Sequence, residues 1–113
     1  MPKKKTDQKY FENLFQQYLE EKDVEFVREA ILVPGRKFRV DFYVPRNRAV
    51  FEIQGGTFTK GGHSTGTGIS RDCEKSNLLQ INGYMVFKIP TNWFSDAEKY
   101  YHIMEILDFL KAN

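Results

Sequence analysis

The chain is 113 residues long, 41% apolar and 28% charged, with a net charge of +2 and one cysteine. That length predicts one domain with one core, burying roughly two-thirds of the surface exposed by the unfolded chain. The lone Cys73 excludes an intramolecular disulfide and a cysteine-built zinc cluster, and the small net charge means that attraction to a polyanion must come from how charge is distributed.

Residues 1–5, Met-Pro-Lys-Lys-Lys, have no apolar run behind them and read as a disordered basic tail, not a targeting segment. No stretch approaches the roughly 18 apolar residues of a membrane span, so no membrane contact and a reducing cytoplasmic setting are expected. Thr6 and Asp7 are placed to cap a helix running to about Lys22, in which Phe11, Leu14, Phe15, Tyr18 and Leu19 recur at helical spacing as a core stripe. Glu12 falls at the edge of that stripe, pointing either along a sheet or into solvent. A strand is predicted over 24–33, closed by a turn at Pro34-Gly35.

From Arg39 to Gly56 the pattern changes to period two. Val40, Phe42 and Val44 alternate with Asp41 and Tyr43, and Ala49, Phe51 and Ile53 alternate with Val50, Glu52 and Gln54, as in two half-buried strands. A two-residue turn at Arg46-Asn47 sets Val44 opposite Ala49, Phe42 opposite Phe51 and Val40 opposite Ile53. The same register sets Asp41 opposite Glu52 on the other face, where opposed Cβ atoms begin roughly 4.5–5.5 Å apart. Two carboxylates so placed repel each other unless one is neutralised or both hold a cation. Hard divalent ions such as Mg²⁺ are commonly held by one or two carboxylates with water and substrate phosphates, which makes phosphate the natural co-ligand. The other reading leaves Asp41 at a solvated strand end and pairs Glu52 with Arg39 or Arg48.

Residues 55–71 hold six of the chain's eight glycines and no acid. Loops of this length in a compact domain are usually functional or disordered. Small residues here let a backbone approach a ligand, while Lys60, His63 and Arg71 supply positive or titratable charge suited to a phosphate backbone. A phosphate-binding P-loop is excluded, because Gly61 is followed by Gly62 and His63 instead of Lys and Ser or Thr. Ser70 is placed to cap the next helix, with Asp72 and Glu74 in its first turn and Leu78, Leu79 and Ile81 facing inward. Lys75 and Arg71 fall in that same sector, where a lysine needs a partner. Residues 84–89 read as a strand stopped by Pro90. Ser95-Asp96-Ala97-Glu98 reads as a capping box opening a last helix, with Tyr100, Ile103, Met104, Leu107 and Leu110 on its core or dimer face, and Trp93 and Phe94 closing the core.

Asp41 and Glu52-Ile53-Gln54 at the ends of adjoining strands resemble the PD-(D/E)XK nuclease superfamily, most nearly its small phage-type members related to virus-type replication-repair (VRR-NUC) nucleases and resolvase-like endonucleases. The resemblance runs from the first helix to Pro90. It implies an α/β fold with a restriction-endonuclease-like core in αβββαβ order, a C-terminal helix and a mixed sheet flanked by helices. It also implies Mg²⁺ or Mn²⁺ held by Asp41, Glu52 and the backbone carbonyl of Ile53, and hydrolysis of phosphodiester bonds in DNA, with RNA left open. Structured DNA such as a junction, flap or nick, a homodimer, and a prokaryotic or phage-infected cell all fit that expectation. Glu12 resembles the first-helix glutamate of several members. Two departures stand out: Val40 where proline is usual before the Asp, and Gln54 where lysine is usual. Superfamily members also place this lysine on a helix, which makes Lys75 the candidate replacement and Gln54 a group that orients water. The rival readings are a catalytically inactive nucleic-acid-binding module on this fold and a metal-binding interaction subunit.

Overall fold

The computed structural model describes residues 4–55 and 66–113. Three helices and four strands follow in the order α1 (Lys4–Glu21), β1 (Val27–Ala30), β2 (Val40–Val44), β3 (Ala49–Gln54), α2 (Gly66–Ile81), β4 (Met85–Pro90) and α3 (Ala97–Ala112), with 3-10 turns at Pro45–Asn47 and Thr91–Ser95. They build one mixed sheet in the order β1-β2-β3-β4. The first two pairings are antiparallel and β3–β4 is parallel. A parallel pair needs a crossover, and the segment carrying α2 supplies it.

The sheet is covered on both faces. On one, Phe15 and Leu19 of α1 and Ile103, Leu107 and Leu110 of α3 pack with Phe42, Val44, Ala49, Phe51, Ile53 and Ile89. On the other, Leu79 of α2 packs with Val33, Val40 and Val50. Val50 is fully buried, so β3 is not the half-buried strand that alternation alone predicts. A crossover helix over a parallel pair closes the second face.

The β2–β3 register is the expected one, with Val44↔Ala49, Tyr43↔Val50 and Phe42↔Phe51. Its connection is longer: a 3-10 turn over Pro45–Asn47 leads to Arg48 at φ 54°, in the left-handed region. Arg48 lies over the Tyr84 ring at 4.2 Å and donates to the carbonyls of Asn82 and Gly83. One side chain thus ties the β2–β3 turn to the α2–β4 turn.

Several boundaries differ from the sequence reading. α1 starts at Lys4, ahead of Thr6 and Asp7, so Lys4 and Lys5 belong to the helix and not to a tail. β1 is confined to Val27–Ala30 and contains Glu29 at φ 54°, outside the extended region. α2 begins at Gly66, which places Ser70 inside the helix and leaves no acid in its first turn. Asp72 and Glu74 instead make ion pairs with Lys88 and Arg36. Ile81 is 77% exposed, and Ile106 of α3, not Tyr100, joins the core. Ser95 closes a 3-10 turn, and the cap of α3 is Asp96, whose carboxylate accepts the Lys99 N–H. Among the described residues no helix is long and apolar enough to cross a membrane.

Candidate active site

The site forms where β2 and β3 separate. Their paired register stops at Phe42↔Phe51. Beyond it Asp41 Oδ2 accepts the backbone N–H of Ile53 at 2.8 Å, so a side chain takes the place of a strand neighbour. On the other side of β2 the register steps from Arg28↔Phe42 to Ala30↔Val40, skipping the position where Glu29 has a positive φ. A non-glycine residue in that region costs about 1–3 kcal/mol. The faces also depart from strict alternation: Val40 packs in the α2-side cluster with Val50, while Phe42 and Val44 pack on the other side. Strict alternation predicted all three together.

Glu52 reaches the α2 side by simple geometry. It lies two residues beyond Val50 on β3 and so on the same face, while Lys75 lies one turn before Leu79 on the helix that packs there. The two meet: Lys75 Nζ is 3.1 Å from Glu52 Oε1 and donates also to the Arg39 carbonyl at 2.6 Å. Both side chains are mostly buried, 18% and 14% exposed. Among the described residues, buried Glu52 Oε2 has no hydrogen-bond partner. Neither arginine of the rival reading pairs with Glu52, because Arg39 bonds to Glu29 and Arg48 to the α2–β4 turn.

Burial, with the nearby Asp41 charge second, pushes the Glu52 carboxyl up to about 7 against the pull of Lys75. Burial also raises the Asp41 carboxyl, opposed by the Ile53 N–H, with the Glu12 charge adding to the rise. The site therefore holds two acids that resist joint ionisation.

A second set of groups closes on it from α1. Glu12 faces the sheet, not solvent: Oε1 accepts from Arg28 at 2.9 Å and Oε2 from Gln8 at 2.8 Å. Arg28 lies over the Phe42 ring at 4.7 Å and also bonds Gln16. Gln8 Nε2 donates in addition to the Ile53 carbonyl at 2.9 Å. Across the sheet, Lys88 of β4 is in register with Glu52 and pairs with Asp72 at 3.0 Å. Gln54 is half-buried beside Pro90 at the end of β3. Arg71 is exposed on α2. Lys60 and His63 lie outside the described residues.

Gln8, Arg28 and Lys88 were not singled out by the sequence. Gln8 stands one helical turn before Glu12 on the same face, and Lys88 is the one charge within an apolar strand, so weak signals exist for both. Arg28 gives none, because its partners come from a different element.

Among the described residues no group of three or more His, Cys, Asp and Glu side chains is placed to hold a metal ion. A cation here would depend on Asp41 and Glu52 completed by a carbonyl and water, a donor set suited to hard ions such as Mg²⁺ and Mn²⁺. The unpartnered Glu52 Oε2 and the two raised carboxyls fit that demand.

No protein-family model and no curated protein matches the chain. Among solved structures, the fold is similar to the catalytic domain of the homing endonuclease I-Bth0305I, with a TM-score of 0.64, 19% identity, and coverage of 84% of this chain and 89% of that one. At this identity the likeness is one of fold alone.

Proposed function

We propose that the protein is a Mg²⁺- or Mn²⁺-dependent endonuclease of PD-(D/E)XK type that hydrolyses phosphodiester bonds in DNA. The observation that carries this reading is the buried Asp41–Glu52 pair with the Lys75 ammonium against it and one Glu52 oxygen without a partner among the described residues. An unsatisfied buried carboxylate oxygen is costly, and a protein with no use for the charge gains by replacing it. The fold likeness to a homing endonuclease catalytic domain supports the same class.

A bound divalent ion would polarise a phosphoryl oxygen and lower the pKa of an attacking water. The chain's own residues have separate tasks. Asp41 and Glu52 present anionic oxygens, and the Ile53 carbonyl, which accepts from Gln8 of α1, would be the third donor. Lys75 supplies positive charge where negative charge builds on the phosphate oxygens. Gln54, two residues beyond Glu52 on the same strand, offers an amide to orient the attacking water. Glu12, fixed by Arg28 and Gln8, would hold a further water or ion. Arg71, with Lys60 and His63, would contact backbone phosphates, which position a strand without reading its sequence. Cutting both strands of a duplex with so small a domain calls for two copies.

The test is a cleavage assay on duplex, nicked, flap and four-way-junction DNA with Mg²⁺, Mn²⁺ or EDTA. Cleavage with either ion, none in EDTA and none by Asp41→Asn are expected. Metal-independent binding of all these DNAs without cleavage would instead identify an inactive binding module.

A further inference from the structure

The geometry points to Gln8 and Gly55 as one positioning device, a carboxamide clamp that fixes the Ile53 carbonyl and Glu12 for cation binding; the inference rests on the reading of Asp41 and Glu52 as a cation site. Gln8 Nε2 has two hydrogens and two acceptors, Glu12 Oε2 at 2.8 Å and the Ile53 carbonyl at 2.9 Å. The position calls for two donors, and the Gln8 amide supplies both without adding charge. A carboxylate at residue 8 would repel Glu12 one turn along and could not donate to the carbonyl. One bond thereby joins α1 to the end of β3 at the residue whose N–H already serves Asp41.

The other half of the device is a missing side chain. The Gly55 φ is outside the left-handed region, so its backbone does not demand glycine. A Cβ built there would stand 2.5 Å from Gln8 Oε1 and 3.4 Å from Thr91 Cγ2. Glycine at 55 is therefore the room in which the Gln8 amide sits. Alanine at 55 would displace the end of a flexible side chain, a small local cost, and so remove the clamp while leaving the fold in place.

Outer groups that orient metal ligands typically contribute about 10–100-fold in affinity. Gln8→Met, Gly55→Ala and the double variant, as full-length proteins, are titrated with MnCl₂ and free Mn²⁺ is followed by electron paramagnetic resonance, with metal-free melting temperatures recorded in parallel. Each single variant is expected to bind Mn²⁺ roughly ten-fold more weakly than wild type, and the double variant no more weakly than the worse single, because both remove the same contact. Unchanged Mn²⁺ affinity in the singles, with or without a lowered melting temperature, overturns the clamp. So do losses that multiply in the double variant, since these mean independent effects. Tighter binding overturns it too, by showing that the amide competes with the ion. Failure of wild type to bind Mn²⁺, or equal binding by Asp41→Asn, defeats the cation site itself and is distinguishable from all of these.

Discussion

Asp41 Oδ2 and the backbone N–H of Ile53 meet at 2.8 Å, joining β2 to β3 where their ladder has ended. The bond holds a carboxylate beside Glu52 without needing its negative charge. Asparagine keeps an acceptor oxygen at the same position, so Asp41→Asn is expected to fold with a metal-free melting temperature at or above that of wild type, having lost one of two repelling charges. Millimolar Mn²⁺ should raise the melting temperature of wild type by mass action and leave the variant unmoved. Equal shifts in both would put the ion elsewhere, and a large metal-free loss would make Asp41 a structural residue only.

The raised Glu52 carboxyl sets a direction for stability against pH. Its folded value of about 7 lies above the ordinary 4.5, so the unfolded chain releases the proton first. The favourable contribution is complete below about 4.5 and is lost as pH rises to about 7. The difference corresponds to about 3 kcal/mol, and Asp41 acts in the same direction. Metal-free wild type should therefore melt lower at pH 8 than at pH 5, and Glu52→Gln should flatten most of that fall. Saturating Mn²⁺ should reverse the trend, because the ion binds the ionised pair. A metal-free melting temperature that rises with pH over this window would refute the assignment.

The hairpin and the layer order were legible because they rest on local rules. Alternation from Val40 to Gln54 contains the register, and the wheel of 70–81 turns Lys75 and Leu79 to one side. What the sequence hid is non-local. The positive φ of Glu29 follows no propensity at Glu29 itself, and Val40 packs on the opposite face from Phe42. The Gln8 contact joins residues 45 apart. Ser70 and Ser95 look like caps, yet α2 starts more than a turn before Ser70 allows and Asp96 takes the second capping position.

On the proposed function, the glycine-rich segment and the start of α2 are expected to bear on affinity, not on chemistry. Arg71 is exposed on α2, so Arg71→Ala is expected to weaken binding to all DNA sequences alike and to lower the salt dependence of affinity by about one phosphate contact. Lys60→Ala should do the same. Binding measured across a salt series checks both, and unchanged slopes would assign the segment to something other than the DNA backbone.

On the proposed function, Lys75 carries the strongest claim on turnover, because Gln54 would then stand where such nucleases carry a lysine. Its ammonium is fixed by Glu52 Oε1 and the Arg39 carbonyl, a preorganised charge that would need no rearrangement on binding a phosphate. Removing one such group typically costs roughly 10²–10³ in kcat, so Lys75→Ala should lose that much turnover with little change in DNA affinity. It should also move the Glu52 titration further up, since the Lys75 charge pulls it down. Residue 54 is on the same face of β3 as Glu52, so adding Gln54→Lys to Lys75→Ala returns an ammonium from the strand and should restore part of kcat. Wild-type turnover by Lys75→Ala would end the idea. Joint loss of binding and cleavage would reduce Lys75 to a phosphate contact and leave the transition-state charge to be found in Lys88, which stands in register with Glu52 on β4.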